Sequence, residues 1–207
     1  MMILVTGGSG SGKSAFAEDC VVSFGKKDRI YIATMYPFDE ESKKRVLRHR
    51  KMRHGKGFET IECYTGLDRV TLPGKCTVLL ECMSNLVANE MFQEKGAHEN
   101  TVEAVLNGVK NLREQAENLV IVTNEIFSEA AAYQGETELY QEYLGKINQR
   151  IGTLADEVVE VVYGIPVWGV DRCYCRGSGR NFTGTYRRKY GGCWYLLSAR
   201  CVCRDAT

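Results

Sequence analysis

The sequence predicts an α/β fold, a mostly parallel sheet flanked by helices in a single domain. Two observations carry that prediction. Short apolar runs alternate with longer segments of helical period, and most runs are β-branched-rich and continuous, as strands buried on both faces are. The repeated strand–helix order calls for parallel neighbours joined by helical crossovers. A length of 207 residues suits about one large domain. With 44% apolar and 26% charged residues, the composition excludes a disordered, collagen-like or coiled-coil chain.

The first strand is Ile3–Thr6, followed by a helix over Ser14–Phe24. The second, Ile30–Ala33, leads to a helix over Asp39–Arg53, whose acidic start and basic end suit the helix dipole. The strand Thr77–Glu81 precedes a helix over Asn85–Phe92. Thr101–Ala116 leads into a strand at Leu119–Thr123, and Glu138–Ala155 into one at Val158–Val162. Glu160 interrupts the last run, which is therefore expected at a sheet edge. The longest apolar stretches, such as Cys76–Leu80, fall far short of the roughly 20 residues of a membrane helix. The start, Met1 to Thr6, is β-like rather than a basic, apolar leader. No membrane span and a cytoplasmic location are the expectation.

Gly7-Gly8-Ser9-Gly10-Ser11-Gly12-Lys13-Ser14 is a complete G-x-x-x-x-G-K-S between the first strand and the first helix. Glycines let the backbone wrap phosphates with its N–H groups exposed, and the helix N-terminus adds a favourable dipole. Lys13 would reach the β- and γ-phosphates and Ser14 would ligate Mg²⁺. The α/β fold is therefore P-loop NTPase-like, and its ligand a nucleoside triphosphate. A carboxylate on the metal side belongs at the end of a neighbouring strand. Glu81 fits that place, with Glu125 a second candidate; a solvated, helix-capping carboxylate is the plain alternative for each.

His54 and His98 fall in polar or glycine-flanked stretches and read as exposed. His49 shares one helix face with Arg45 and Arg53, at spacings of four. Arginine neighbours disfavour the imidazolium, and a neutral imidazole is a nucleophile. The same arginines would hold phosphates. The chemistry suggested is attack by His49 on an α-phosphate, against the plain alternative of a solvated basic face.

Together these segments resemble the bifunctional adenosylcobinamide kinase/adenosylcobinamide-phosphate guanylyltransferase family. The resemblance runs from Met2 to about Val167. It rests on Ile3-Leu4-Val5-Thr6-Gly7-Gly8 leading into Ser11-Gly12-Lys13-Ser14, on Tyr31-Ile32-Ala33-Thr34, and on Arg45 four residues before His49-Arg50, with Arg53 beyond. Thr60-Ile61-Glu62, Leu79-Leu80-Glu81-Cys82, Val122-Thr123-Asn124-Glu125, Asn148-Gln149, Ala155-Asp156-Glu157-Val158 and Gly164-Ile165-Pro166 follow in family order. The resemblance implies a role in cobalamin assembly through two reactions. ATP or GTP phosphorylates the aminopropanol hydroxyl of adenosylcobinamide. GTP then guanylylates His49, and the GMP passes to adenosylcobinamide phosphate to give adenosylcobinamide-GDP. It implies that Ala33, Thr34 and Met35, with Arg50, Lys51, Met52 and Arg53, line the nucleotide site, and that Glu62 and Glu81 contact nucleotide or Mg²⁺. It also implies a homotrimer with the histidine helix near a subunit boundary, and no nucleic-acid partner. The sequence departs from the family pattern at His54 and Phe58, where proline and tryptophan are expected, and at Ile126 to Ala130, which replaces a glycine-rich loop that approaches the corrinoid. Two further readings compete: a P-loop kinase of another small molecule, and a nucleotide-switched binding protein.

Residues 1–169 therefore read as the kinase/guanylyltransferase domain and 170–207 as an atypical tail. The tail holds seven Arg and one Lys against Asp171 and Asp205, and five of the nine cysteines. The body, by difference, is acidic. Cys173-Tyr174-Cys175 and Cys201-Val202-Cys203 are spaced more tightly than most structural zinc ligands. An appended or frame-altered end without its own fold is the expectation, ahead of a zinc-binding appendage or a basic tail for a partner or nucleic acid.

Overall fold

The computed structural model describes residues 1–25, 28–126 and 135–169, with the backbone of two strands beyond them. Seven strands form one sheet: β1 (Met2–Thr6), β2 (Arg29–Ala33), β3 (Phe58–Glu62), β4 (Thr77–Glu81), β5 (Asn118–Val122), β6 (Glu157–Val162) and β7 (Ile165–Trp168). Their order is β3-β2-β4-β5-β1-β6-β7. All pairings in this sheet are parallel except β6–β7. The helices are α1 (Lys13–Ser23), α2 (Glu40–Arg53), α3 (Met83–Phe92), α4 (Thr101–Gln115) and α5 (Glu136–Leu154). The protein thus has the P-loop NTPase-like α/β architecture that its sequence predicts.

The continuous apolar strands bury both faces, as their composition requires. Ile3, Val5, Leu79, Val120 and Val122 pack with Ala17 and Val21 of α1. Leu4, Val78, Leu80, Leu119 and Ile121 pack on the opposite face with residues of α3, α4 and α5, among them Leu86, Leu112 and Ile147. Each fully buried Leu or Ile contributes roughly 1.5–3 kcal/mol, so the central strands fix the positions of their own ends. The register makes those ends a platform. Glu62, Ala33, Glu81, Val122 and Val5 stand in one row across five strands. Loops that follow this row open into one crevice, where ligands of open α/β sheets bind.

Two expectations change. Val158–Val162 lies inside strand β6, which pairs with β1 on one side and β7 on the other, so it is not an edge. The edge beyond it is Ile165–Trp168, where Pro166 is tolerated. The other edge, Phe58–Glu62, is a strand the apolar pattern does not announce, because its five residues include Glu59, Thr60 and Glu62. In the tail, Thr183–Tyr190 and Cys193–Arg200 pair antiparallel as a separate two-stranded sheet. The paired cysteines Cys173, Cys175, Cys201 and Cys203, and the Phe127–Ala130 stretch expected near the corrinoid, lie outside the described residues.

Candidate active site

β1 delivers the chain into the phosphate loop at Gly7, where φ is +153°. A Cβ there would lie 2.5 Å from the Val161 carbonyl oxygen and 2.7 Å from Ser11 Oγ, so only glycine fits. Gly12, with φ +91°, turns the chain into α1. The loop's far side is fixed by Gly164, whose N–H donates to the Ser11 carbonyl at 2.7 Å, and by Glu125, whose N–H donates to the Gly7 carbonyl at 3.0 Å. Lys13 is buried and its Nζ donates to the Gly8 carbonyl at 2.9 Å. The ammonium therefore curls over the loop where a phosphate would lie. Burial holds its pKa below 10.5, opposed by the nearby Cys82 and Glu81.

Glu81, at the end of β4, is the hub of the site. It is buried and accepts hydrogen bonds from Ser14 Oγ on Oε1 and from the Tyr31 hydroxyl on Oε2, the latter at 3.2 Å. His49 Nδ1 stands 3.4 Å from the same Oε1. That contact lies within ion-pair range but outside hydrogen-bond geometry, so Nδ1 has no hydrogen-bond partner. Tyr31 is held in turn by Arg53, whose guanidinium carbon lies 3.3 Å from the ring centroid, a cation–π contact. Burial, then the charge of Glu81, push the Tyr31 phenol far above its usual range. It therefore remains a neutral donor to the carboxylate. Burial pushes the thiol of Cys82, beside Glu81, up as well.

The arginines are arranged differently from the expectation of one phosphate-binding face. Arg45 pairs with Glu41 on the exposed side of α2, and Arg53 is buried against Tyr31. Arg50 reaches Glu62, Nη2 to Oε1 at 3.2 Å, and Glu62 also accepts from the Tyr64 hydroxyl at 2.9 Å. Lys51 is exposed and Met52 half-buried. Arg50, Arg53 and Glu62 line one cavity of about 760 Å³ with His54, Gly55 and Phe58. Thr34 is buried and fixes the strand end, donating to the Cys82 carbonyl at 2.8 Å and accepting from the Cys82 N–H at 2.7 Å. Ala33 and Met35 flank it, half-buried. Ser11 Oγ, His49 Nδ1 and Arg53 Nη1 are buried without hydrogen-bond partners. Buried polar atoms left open in this way, here on the phosphate loop and on both the middle and the end of the histidine helix, are what a polar ligand would satisfy.

A family model described as cobinamide kinase / cobinamide phosphate guanyltransferase matches residues 3–168. The chain belongs to that family. Within it, the bifunctional adenosylcobalamin biosynthesis protein CobU of Salmonella typhimurium is 33% identical over 184 residues, covering 81% of this chain and 98% of its own. The namesake from Escherichia coli is 31% identical over 182 residues, with the same coverage. Among solved structures, a prototypical ATPase from the type III secretion system of pathogenic bacteria aligns with TM-score 0.45 at 11% identity, over 77% of this chain and 50% of its own. As a member of the cobinamide kinase / cobinamide phosphate guanyltransferase family, the chain is a nucleotide-binding transferase of cobalamin biosynthesis. No described helix is long and apolar enough to cross a membrane.

For this family member, the structure brings Lys13, Ser14, Glu81 and His49 together and sets Glu62 and Arg50 apart on the β3 side. Sequence reasoning misses three supporting residues, Tyr31, Glu18 and Lys56. The local pattern marks Tyr31 only as part of a strand, although its hydroxyl anchors Glu81. Glu18, fully buried on α1, accepts from Lys56 Nζ at 2.8 Å, while Asp19 stands 3.3 Å from it. This pair ties the loop after the histidine helix to the helix after the phosphate loop. A glutamate among the small and apolar residues of a short helix is the available signal.

Proposed function

We propose that the chain phosphorylates adenosylcobinamide with ATP or GTP, then carries GMP from GTP on His49 to adenosylcobinamide phosphate. One observation carries this reading: Ser14 of the phosphate loop and His49 of the histidine helix meet on a single oxygen of Glu81. A triphosphate cradled by Gly7 to Ser14 therefore lies beside the nucleophile, and one nucleotide site serves both steps.

In the kinase step the aminopropanol oxygen attacks the γ-phosphorus, its hydroxyl proton passes to solvent, and the bond to the β,γ-bridging oxygen breaks as the nucleoside diphosphate leaves. Lys13 balances charge on the phosphoryl oxygens. In the transferase step Glu81 faces Nδ1 of His49, which leaves Nε2 to attack the α-phosphorus. The bond to the α,β-bridging oxygen breaks and pyrophosphate leaves. A phosphate oxygen of adenosylcobinamide phosphate then attacks the same phosphorus, the P–N bond breaks and adenosylcobinamide-GDP departs. The hard oxygen donors of Ser14 and Glu81 suit Mg²⁺, which supplies neutralisation of phosphate charge when bound. Arg53, with Nη1 buried and unpartnered, would hold the α-phosphate end of the nucleotide. Ala33 to Met35 and Arg50 to Met52 would frame the base and ribose. The assembly is proposed to be a homotrimer, a reading that rests on the family resemblance.

The test is product analysis by liquid chromatography and mass spectrometry after incubating adenosylcobinamide with ATP, GTP and Mg²⁺. The wild type is expected to yield adenosylcobinamide-GDP, and His49→Ala to stop at adenosylcobinamide phosphate. Full product from His49→Ala would refute the covalent route.

A further inference from the structure

We propose that the macrocycle of the corrinoid substrate binds in a second groove, between the ends of β2 and β3 and helix α3, with Phe38 and Phe92 against its faces. The inference rests on the two-step reading above and goes beyond it by assigning a place for the corrin ring. The groove measures about 1070 Å³. Its aromatic lining is Tyr36, Phe38, Tyr64 and Phe92. Phe38 is 77% exposed, Phe92 52% and Tyr36 46%. Single exposed apolar residues are ordinary, but several around one concavity mark a binding surface. Tyr36 and Tyr64 stand edge to face at 5.1 Å, which shapes the inner wall.

The polar groups of the groove match the other half of a corrinoid. Asn89, Gln93, Arg69 and Lys95 line it with the aromatics, and a corrinoid is a wide, flat, largely apolar ring fringed by amide arms. Asn89 is oriented by the Thr34 carbonyl, to which its Nδ2 donates at 2.8 Å, and it accepts from Gln93 Nε2 at 2.9 Å. Continuity with the nucleotide site is the deciding feature. Glu62 lines both this groove and the Arg50–Arg53 cavity, and Thr34 joins Asn89 to the Cys82 backbone beside Glu81. A ring seated at Phe38 and Phe92 projects its aminopropanol arm along that wall toward the phosphate loop. The ring itself stays clear of the nucleotide. The one occupant proposed is therefore the acceptor substrate, not a second copy of the chain.

The experiment is equilibrium dialysis of adenosylcobinamide, followed by its visible absorbance, with full-length wild type, Phe38→Ala, Phe92→Ala and Phe92→Tyr. Alongside it, the GMP adduct on His49 is measured without corrinoid, and oligomeric state by light scattering. Expected is roughly ten-fold weaker corrinoid binding for each Ala variant, a scale typical of losing one aromatic contact. Phe92→Tyr should bind nearly as wild type, and adduct formation and assembly should be unchanged throughout. Ala variants that bind corrinoid as wild type does would overturn the assignment. Ala variants that change oligomeric state and lose the adduct would also overturn it, making the groove a face between subunits. Wild type that forms the adduct yet binds no corrinoid would refute the two-step reading itself, and the groove assignment with it.

Discussion

The helix that follows the phosphate loop is held by its apolar face, whereas the helix that carries His49 is held by its ends. In α1, Ala17 and Val21 pack with the strands of the sheet, and the loop before it is set by glycines at Gly7 and Gly12. In α2, only Ser42 and Arg53 of 14 residues are buried. Asp39 and Ser42 close a capping box at its start, Arg53 rests on Tyr31 at its end, and Lys56 just beyond reaches Glu18. An apolar face is broken only by changing the core. A helix held by a few polar contacts can be displaced by one substitution while the sheet stays folded. The phosphate loop is therefore robustly placed, and the position of His49, the proposed nucleophile, is adjustable.

Lys13→Ala should break the robust side most severely. Charge-assisted hydrogen bonds contribute about 1.5–3 kcal/mol, so nucleotide affinity should fall roughly 100-fold by calorimetric titration, and both reactions with it. Glu81→Gln comes next, because it touches both regions. Removing the charge that faces Ser14 and His49 should lower Mg²⁺-supported nucleotide binding and adduct formation together, each about ten-fold. Glu62→Gln, which loses only its exposed contacts to Arg50 and Tyr64, should change either measurement less. Lys56→Met separates the two helices. It strands a buried carboxylate at Glu18, so the urea midpoint should fall by an amount equivalent to about 2 kcal/mol. Adduct formation should then decline more than nucleotide binding does.

The smallest expected effect lies at the start of α2. The Ser42 hydroxyl and N–H hold the Asp39 carboxyl below 3.8. A carboxyl depressed in the native state adds stability that is present above pH 3.8 and lost as pH falls through its lowered native value. Thermal melts of wild type and Asp39→Ala should therefore differ at neutral pH and converge in acid.

The same contrast explains what the sequence reveals. The cradle is legible because backbone N–H groups can surround a phosphate only where glycines permit it, and Lys13 and Ser14 follow at fixed spacing. The buried strands are legible from their continuous apolar runs. The edges are not: β3 carries Glu59, Thr60 and Glu62, and the outer neighbour of β6 is a four-residue strand containing Pro166. For His49, helical spacing points to Arg45 and Arg53, yet the structure turns Arg45 to Glu41 and buries Arg53 on Tyr31, leaving Glu81 opposite the imidazole. That arrangement depends on where α2 docks, a tertiary fact that no spacing within the helix encodes. The family resemblance, carried by many short matches in order, singles out His49 where local pattern cannot.

The central claim is that one nucleotide, held by the phosphate loop, is attacked by His49. Intact-protein mass spectrometry after incubation with GTP and Mg²⁺ tests it most directly. A mass increase of one GMP, labile to acid and missing from His49→Ala, is the predicted result. An unmodified wild type, under conditions where calorimetry shows GTP bound, would contradict the claim.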